Sequence, residues 1–262
     1  MNTLSLRPFG QTNLFLSVAG LGTVKFGRNQ AVKYPHHFNL PTDKDIRILL
    51  EQAQSLGINW LDTAPAYGIS EERLGKLIRR QDWIIATKTG EEFENNQSFF
   101  NFSSSHTIKS VHRSLKRLKT DYLDIIMIHS DGADLDIIYQ SDCITTLQQL
   151  KKEGKIRAIG MSCKTAEGAL AAMPHIDGLM LTLNPTYLDE YLAIETAHNS
   201  HRGIIIKKYL GSGHLLAEHS LISLTNFVFK APITSVIIGT LNPAHLLENA
   251  QAIMDVTHAN AL

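Results

Sequence analysis

The sequence predicts a (β/α)8 TIM barrel that residues 1–262 form as a single domain. Short apolar runs alternate with longer segments of helical periodicity from about residue 18 to the carboxyl terminus, and there are eight of each. This alternation is typical of a parallel sheet covered by helices. No linker, charge block or low-complexity tract divides the chain. Eight strand and helix units favour a closed barrel over an open doubly wound sheet, which usually has fewer strands.

The elements follow in a regular order after a short amino-terminal segment. That segment contains two short strands around Gly10, which predicts a short β-hairpin closing the bottom of the barrel. The candidate barrel strands are nearly continuous apolar runs at 18–22, 58–62, 83–88, 123–129, 156–161, 178–183, 203–207 and 235–238. The candidate helices lie at about 43–56, 70–80, 104–119, 141–153, 165–172, 188–199, 218–230 and 243–256. Thr42 and Ser70 are the candidate N-caps of the first two helices.

The end of the first strand offers one alternative to the barrel. Gly20-Leu21-Gly22 has the start of a dinucleotide-binding turn. The third glycine of that fingerprint has no counterpart and no helix begins there, so an open dinucleotide-binding sheet is disfavoured. A long irregular stretch at about 24–42 follows instead. Loops of this length often border functional sites.

Charge and composition exclude some classes of partner. Lys plus Arg number 25 and Asp plus Glu number 25, so no net field gathers nucleic acid or anionic lipid around the molecule. No run approaches the ~20 apolar residues that cross a bilayer, and the amino terminus lacks a leader pattern. We therefore expect a cytoplasmic protein with a small-molecule substrate and with neither a nucleic-acid nor a membrane partner. The sequence does not specify an oligomeric state.

The spacing of cysteine and histidine predicts neither a disulfide nor a metal site. Cys143 and Cys163 lack a pairing or metal-type spacing, which is typical of free thiols in a reducing compartment. His36-His37 lacks a third ligand of predictable placement. A basic run at 109–119 carries apolar residues at helical spacing, so we interpret it as the solvated face of an outer helix.

Four polar residues at the ends of predicted strands form the candidate catalytic site. Asp62, Lys88 and His129 each close an apolar run, and Tyr67 follows in the loop after the second strand. In a barrel these strand ends meet on one face. We expect the Lys88 ammonium, held by Asp62, to lower the pKa of the Tyr67 phenol from its usual value near ~10, and His129 to orient a substrate oxygen.

Each of these residues also has a structural interpretation. Asp62 and Lys88 can form a purely structural salt bridge at strand ends. Tyr67 alone is more often a packing aromatic, and His129 alone is more often a core histidine. Only the four together indicate chemistry, because a proton donor, a charge and an orienting group then share one cleft.

Several motifs, in their order and spacing, carry a resemblance to a known family. They are Asp62-Thr63-Ala64-Pro65-Ala66-Tyr67-Gly68, Ser70-Glu71-Glu72-Arg73-Leu74-Gly75, Thr87-Lys88, Ser114-Leu115-Lys116-Arg117-Leu118, Asp121-Tyr122-Leu123-Asp124 leading to His129, Gly154-Lys155-Ile156-Arg157 with Gly160 and Ser162, and Glu248-Asn249. Over nearly its whole length the chain resembles an aldo-keto reductase. The resemblance implies a single barrel domain that reduces an aldehyde or ketone by hydride transfer from NADPH, with NAD not excluded. It assigns catalysis to Asp62, Tyr67, Lys88 and His129, with Tyr67 as the proton donor.

The resemblance also implies a cofactor-binding set at the barrel mouth, which the chain matches less well. Its members are Gly22, Thr23, Ser162, Cys163, Met180, Lys207, Leu210, Gly239, Thr240, His245, Glu248 and Asn249. Cys163 stands where the family commonly has Asn, Met180 where it has Gln, and Lys207 where an aromatic often stacks on the nicotinamide. His245 is the one candidate cation in the last loop for a 2′-phosphate.

These departures leave other functions open. The main alternative is a catalytically weak reductase-like protein that binds nucleotide as a sensor or assembly subunit. A barrel hydrolase or lyase is disfavoured, because the sequence has no metal-ligand set and no nucleophile paired with a base.

Overall fold

The structure is a computed structural model that describes residues 3–259. The described chain contains twelve strands: β1 (Leu6–Pro8), β2 (Phe15–Ser17), β3 (Ala19–Gly22), β4 (Trp60–Asp62), β5 (Ile84–Thr89), β6 (Glu91–Glu94), β7 (Gln97–Phe100), β8 (Leu123–His129), β9 (Ile156–Ser162), β10 (Gly178–Thr182), β11 (Gly203–Lys207) and β12 (Ser235–Ile238). Eight of them form a closed barrel in the order β3-β4-β5-β8-β9-β10-β11-β12. All neighbours in the barrel are parallel, and β12 pairs with β3 to close it. The predicted fold class is confirmed, and the eight predicted strands match the barrel strands.

Helices connect the barrel strands on the outside. They are α1 (Val24–Gly27), α2 (Asp43–Ser55), α3 (Ser70–Leu77), α4 (Ser104–Leu118), α5 (Asp134–Gln140), α6 (Cys143–Lys152), α7 (Ala166–Ala172), α8 (Tyr191–Asn199), α9 (Leu221–Phe229) and α10 (Pro243–Ala259). Short 3-10 turns occur at Arg80–Asp82, Met173–His175 and Gly211–Ala217. Within residues 3–259, no helix combines the length and apolar character needed to span a bilayer.

The two predicted helix caps have different outcomes. Thr42 caps α2, because its hydroxyl accepts from the Asp45 N–H at 3.2 Å and the Asp45 carboxylate accepts from the Thr42 N–H at 2.9 Å. The prediction for Ser70 is wrong, since Ser70 is the first residue of α3 rather than its cap. Its hydroxyl donates to the Thr23 carbonyl at 3.0 Å instead. That bond ties α3 to the end of the first barrel strand.

Three elements were not predicted from the sequence. The stretch at 24–42 begins with α1 rather than being irregular throughout, and α5 precedes the predicted helix at 141–153. The third element is the antiparallel hairpin of β6 and β7, which follows barrel strand β5 directly. Its two turn residues, Asn95 and Asn96, have positive φ angles of 51° and 61°, as a tight two-residue hairpin turn requires.

The amino-terminal hairpin of β1 and β2 closes the bottom of the barrel, as predicted. Phe9 lies in its turn, is fully buried, and belongs to the cluster that fills the barrel interior. A Cβ on Gly178 would lie 2.3 Å from the Phe9 ring, and one on Gly203 would lie 2.2 Å from it. β10 and β11 therefore begin with Gly178 and Gly203, because a side chain at either position would clash with the Phe9 ring.

We expect Phe9→Ala to lower the free energy of unfolding by about 3–5 kcal/mol, because the ring leaves a cavity in the barrel floor. Phe15→Ala is the matched control, since Phe15 lies in the same hairpin with 54% of its surface exposed. Its effect should stay within about 0.5 kcal/mol. Urea denaturation of both variants measures the difference. Equal losses would show that the hairpin does not close the barrel floor through Phe9.

Candidate active site

Barrel geometry places the predicted catalytic residues at one end of the molecule. Asp62 is the last residue of β4, Lys88 the last but one of β5, and His129 the last of β8. The parallel pairing sets Lys88 beside Met127, so the three polar residues occupy the carboxyl ends of adjacent strands. Tyr67 lies in the loop between β4 and α3.

Asp62 and Lys88 form a buried ion pair. The Lys88 Nζ lies 2.5 Å from the Asp62 Oδ1 and donates a second hydrogen bond to the Thr63 carbonyl at 2.9 Å. Only 2% of the Lys88 side chain and 5% of the Asp62 side chain are exposed. The same ammonium lies 4.7 Å from the centre of the Tyr67 ring. The ion pair that the sequence predicted is therefore present, and its ammonium lies beside the Tyr67 ring.

The prediction of a lowered pKa for the Tyr67 phenol is wrong. Its hydroxyl lies 3.5 Å from the Asp62 Oδ2. Burial, followed by the carboxylates of Asp62 and Glu91, raises the pKa of Tyr67 well above its ordinary value, and Arg28 opposes this only in part. The expectation of a lowered pKa considered the ammonium alone and omitted burial and the two carboxylates. The phenol therefore keeps its proton at neutral pH.

His129 completes the cluster. Its ring lies edge to face with the Tyr67 ring at a centroid distance of 6.3 Å. Its Nδ1 lies 2.7 Å from the Oε2 of Glu91, the first residue of the β6–β7 hairpin. Burial lowers the pKa of His129 below its ordinary value, with Glu91 opposing and Lys88 and Lys207 adding to the effect. The imidazole is thus mainly neutral at pH 7.

Glu91 and Arg28 are site residues that the sequence reasoning missed. The Glu91 Oε1 accepts from the Ser98 hydroxyl at 2.6 Å and lies 3.7 Å from the Arg28 Nη1. A partial signal for the hairpin that carries Glu91 was present in the Asn95-Asn96 pair, which suits a two-residue turn, but the three glutamates of Glu91–Glu94 are poor strand formers. No signal in the sequence indicated that the hairpin would reach His129.

The loop after the first barrel strand borders the site, as expected. The Lys25 ammonium lies 4.0 Å from the centre of the Tyr34 ring. Burial, then the charges of Tyr67 and Asp62, raise the pKa of the Tyr34 phenol. A Cβ on Gly239 would lie 3.4 Å from that hydroxyl. The loop therefore reaches across the mouth to the last barrel strand.

The Lys207 ammonium donates hydrogen bonds to three other predicted cofactor-binding positions. Its Nζ donates to the Ser162 hydroxyl at 2.9 Å, to the Cys163 carbonyl at 2.7 Å and to the Met180 carbonyl at 3.4 Å. Burial lowers the pKa of Lys207 to about 8. The Cys163 thiol lies in the core between sheet and helices, and the Met180 side chain lies inside the barrel. Of these three, only Ser162 offers its side chain at the mouth.

The other predicted positions fall into two groups. The Thr23 hydroxyl donates to the Asp62 carbonyl at 2.9 Å, and the Asn249 amide donates to the His245 carbonyl at 2.7 Å, so both side chains are engaged within the protein. Leu210 packs against the core. The Thr240 hydroxyl accepts from the Asn242 N–H at 3.0 Å. Gly22 is buried against the Ile237 side chain, and the members that stay exposed are Gly239, His245 and Glu248.

A sequence profile of the aldo/keto reductase family matches residues 19–220. The chain belongs to the aldo/keto reductase family. It is 46% identical to a solved protein from Pseudomonas aeruginosa assigned as an aldo-keto reductase, with a TM-score of 0.89 over 98% of this chain and 97% of that one. The holo form of an aldo-keto reductase from Bacillus halodurans shares the fold at 22% identity, with a TM-score of 0.79 over 95% of this chain and 91% of that one.

Curated aldo-keto reductase relatives are oxidoreductases. L-galactose dehydrogenase of Arabidopsis thaliana is 38% identical over 170 residues, which are 62% of this chain and 49% of that protein. The NADH-specific methylglyoxal reductase of Escherichia coli is 35% identical over 169 residues, 58% of this chain and 50% of that protein. The chain thus spans about half the length of these curated relatives. Aldo-keto reductases generally use nicotinamide cofactors.

Replacing one partner of the buried ion pair should destabilise the fold more, per substitution, than replacing both partners together. Asp62→Asn leaves the Lys88 ammonium buried without its counter-charge, and Lys88→Met does the same to the Asp62 carboxylate. Each variant should therefore lower the free energy of unfolding by about 3–5 kcal/mol. The double variant leaves no buried charge and should lose less than the sum of the two single losses. Urea denaturation of the four proteins gives the coupling free energy.

Asp82→Asn is the control for this cycle, because Arg79 and Asp82 form an exposed ion pair with the Arg79 side chain 76% exposed. Its effect should not exceed about 1 kcal/mol. Additive losses for Asp62 and Lys88 would contradict a coupled buried pair.

Proposed function

We propose that this aldo-keto reductase reduces an aldehyde or ketone to an alcohol, with NADP(H) as the cofactor and Tyr67 as the proton donor. The supporting observation is the cluster of Asp62, Tyr67, Lys88 and His129 at the carboxyl mouth of the barrel. Catalytic groups of such barrels lie at this face. The nicotinamide cofactor supplies the hydride.

The chain's own residues handle the proton and the charge. A carbonyl oxygen becomes an alkoxide as its carbon gains hydride, and an alkoxide is a stronger base than a phenolate. The Tyr67 phenol, which holds its proton firmly, can therefore still transfer it to this oxygen in the same step as the hydride moves. The Lys88 ammonium then stabilises the phenolate that remains. Asp62 fixes the ammonium in place through the 2.5 Å contact.

The donor set at the mouth fits a nicotinamide nucleotide. The Ser162 oxygen accepts from Lys207, so its O–H remains free to donate to a carboxamide. Helix α10 begins just after the last barrel loop and presents its positive end to a phosphate. We infer that Ser162, Gly239 and His245 hold the cofactor. Cys163, Met180, Leu210, Thr23 and Asn249 then contribute by shape and backbone alone, because their side chains are packed or bonded elsewhere.

The substrate that we propose is a small carbonyl compound. Among the relatives, one name specifies a methylglyoxal reductase and another an L-galactose dehydrogenase, so both act on small oxygenated molecules. The mouth of this barrel carries a phenol, an imidazole and charged groups. A polar aldehyde or ketone suits such a lining.

Tyr67→Phe should abolish most of the turnover and leave cofactor binding unchanged. Loss of a positioned proton donor typically costs about 10²–10⁴-fold in rate. The measurement combines kcat on a panel of aldehydes and ketones with fluorescence titration of NADPH. Tyr139→Phe is the matched control, since Tyr139 is 62% exposed on α5 and should leave kcat unaltered.

Three results of that experiment would count against the proposal. Undiminished turnover in Tyr67→Phe would remove Tyr67 as the proton donor. Tight NADPH binding by the wild type without oxidation of any carbonyl panel member would favour a nucleotide-binding sensor. Absence of binding to both NADPH and NADH would overturn both cofactor-based functions.

His245→Gln should weaken binding of NADPH but not of NADH. His245 is exposed in the first turn of α10, where an imidazole N–H and the helix dipole can act on the same phosphate. We expect the Kd for NADPH to rise about tenfold, equivalent to about 1.4 kcal/mol. His258→Gln, at the opposite end of the same helix, is the control. Equal changes in Kd for NADPH and NADH would show that His245 does not bind the 2′-phosphate.

A further inference from the structure

The β6–β7 hairpin brings a carboxylate to the catalytic histidine. Gly90 links β5 to β6 with a φ of 107°, and a Cβ there would lie 2.4 Å from the Phe102 ring. Glycine at this position lets the chain leave the barrel sharply, so that Glu91 follows Lys88 by only three residues and still reaches across to β8. The hairpin thus delivers Glu91 to the edge of the site.

The Glu91 carboxylate is held in place by its own partners. Ser98, from the opposite strand of the hairpin, donates its hydroxyl to Oε1 at 2.6 Å, and the Arg28 Nη1 lies 3.7 Å from the same oxygen. The Arg28 guanidinium lies 3.4 Å from the centre of the Phe93 ring. The Glu91 side chain is 11% exposed. With Oε1 anchored in this way, Oε2 is the oxygen left for His129.

The 2.7 Å separation between Glu91 Oε2 and His129 Nδ1 requires a proton between the two atoms. Two lone pairs at that distance would repel each other. The Nδ1 is buried and makes no well-aligned hydrogen bond within residues 3–259, so its contact with Oε2 is short in distance but poor in alignment. Burial acts to raise the pKa of Glu91, but the hydrogen bond and charge of His129 lower it to about 2. The proton therefore resides on Nδ1.

We propose that Glu91 is a positioning residue that keeps a proton on the His129 Nδ1 and so makes Nε2 the nitrogen that gains and loses a proton beside the substrate oxygen. A neutral imidazole has a single N–H, so an occupied Nδ1 leaves Nε2 as an acceptor. Once protonated, Nε2 donates a hydrogen bond to a carbonyl oxygen while Tyr67 transfers its own proton. This inference rests on the proposed reductase reaction.

The charged and titratable groups around the ring define how Nε2 responds to pH. Glu91 faces His129 from the hairpin, Lys88 from β5, Lys207 from β11 and Tyr67 from the loop after β4. The two ammonium groups disfavour an imidazolium, and the carboxylate favours it. The rate of carbonyl reduction should therefore fall as the pH rises through the pKa of His129, and the position of that fall should depend on Glu91.

The test combines two readouts on the wild type, Glu91→Gln and the matched control Glu92→Gln. Glu92 neighbours Glu91 but pairs with Arg113 and His106 rather than His129. Nitrogen-15 NMR, assigned with His129→Asn, reports which ring nitrogen carries the proton and the midpoint of the His129 titration. The pH profile of kcat/KM for carbonyl reduction is recorded in parallel.

We expect the wild-type ring to be protonated at Nδ1. Glu91→Gln should move both the His129 titration and the fall in kcat/KM to lower pH by about one to three pH units, because one opposite charge is lost. Glu92→Gln should leave both in place. A wild-type ring protonated at Nε2 alone would overturn the inference, as would a Glu91→Gln profile that coincides with the wild type.

Because the NMR readout needs no turnover, the two proposals fail separately. A wild-type Nδ1 proton and an acid-shifted His129 titration in Glu91→Gln, without carbonyl reduction by any of the proteins, would support positioning by Glu91. The same result would contradict the proposed reaction.

Discussion

The buried ion pair between Asp62 and Lys88 is the interaction on which the rest of the site depends. A lone charge at either position would be costly, because both side chains are almost wholly removed from water. Their 2.5 Å contact joins the carboxyl ends of β4 and β5 and holds the ammonium against the Tyr67 ring. Barrel closure supplies the frame, since parallel strands of a closed barrel all end on one face.

Around that pair the site holds two neutral groups between opposite charges. Burial, then the carboxylates of Asp62 and Glu91, raise the pKa of the Tyr67 phenol, and burial with the nearby lysines lowers the pKa of the His129 imidazole. In the proposed reaction the phenol gives its proton to the carbonyl oxygen, and the imidazole assists that oxygen when Nε2 carries a proton.

The sequence predicted what periodicity and strand ends determine. Eight apolar runs predicted the eight barrel strands. Polar residues at the ends of three of these runs predicted the placement of Asp62, Lys88 and His129. The prediction failed for features that depend on tertiary contacts. The contact of Glu91 with His129 depends on the path of a hairpin, and the pKa of Tyr67 was misjudged because burial and a second carboxylate outweigh one ammonium. Likewise, the sequence could not show that the Cys163 thiol faces the outer core.

Single-turnover kinetics test the central claim most directly, that this charge cluster makes Tyr67 the proton donor in a hydride transfer. Protein loaded with NADPH is mixed with an excess of aldehyde, and the decay of nucleotide fluorescence is followed in H2O and in D2O. The account predicts complete oxidation of the bound NADPH, with slower decay in D2O because the phenol proton moves in the same step. Fluorescence that persists, or decay at the same rate in both solvents, would contradict it.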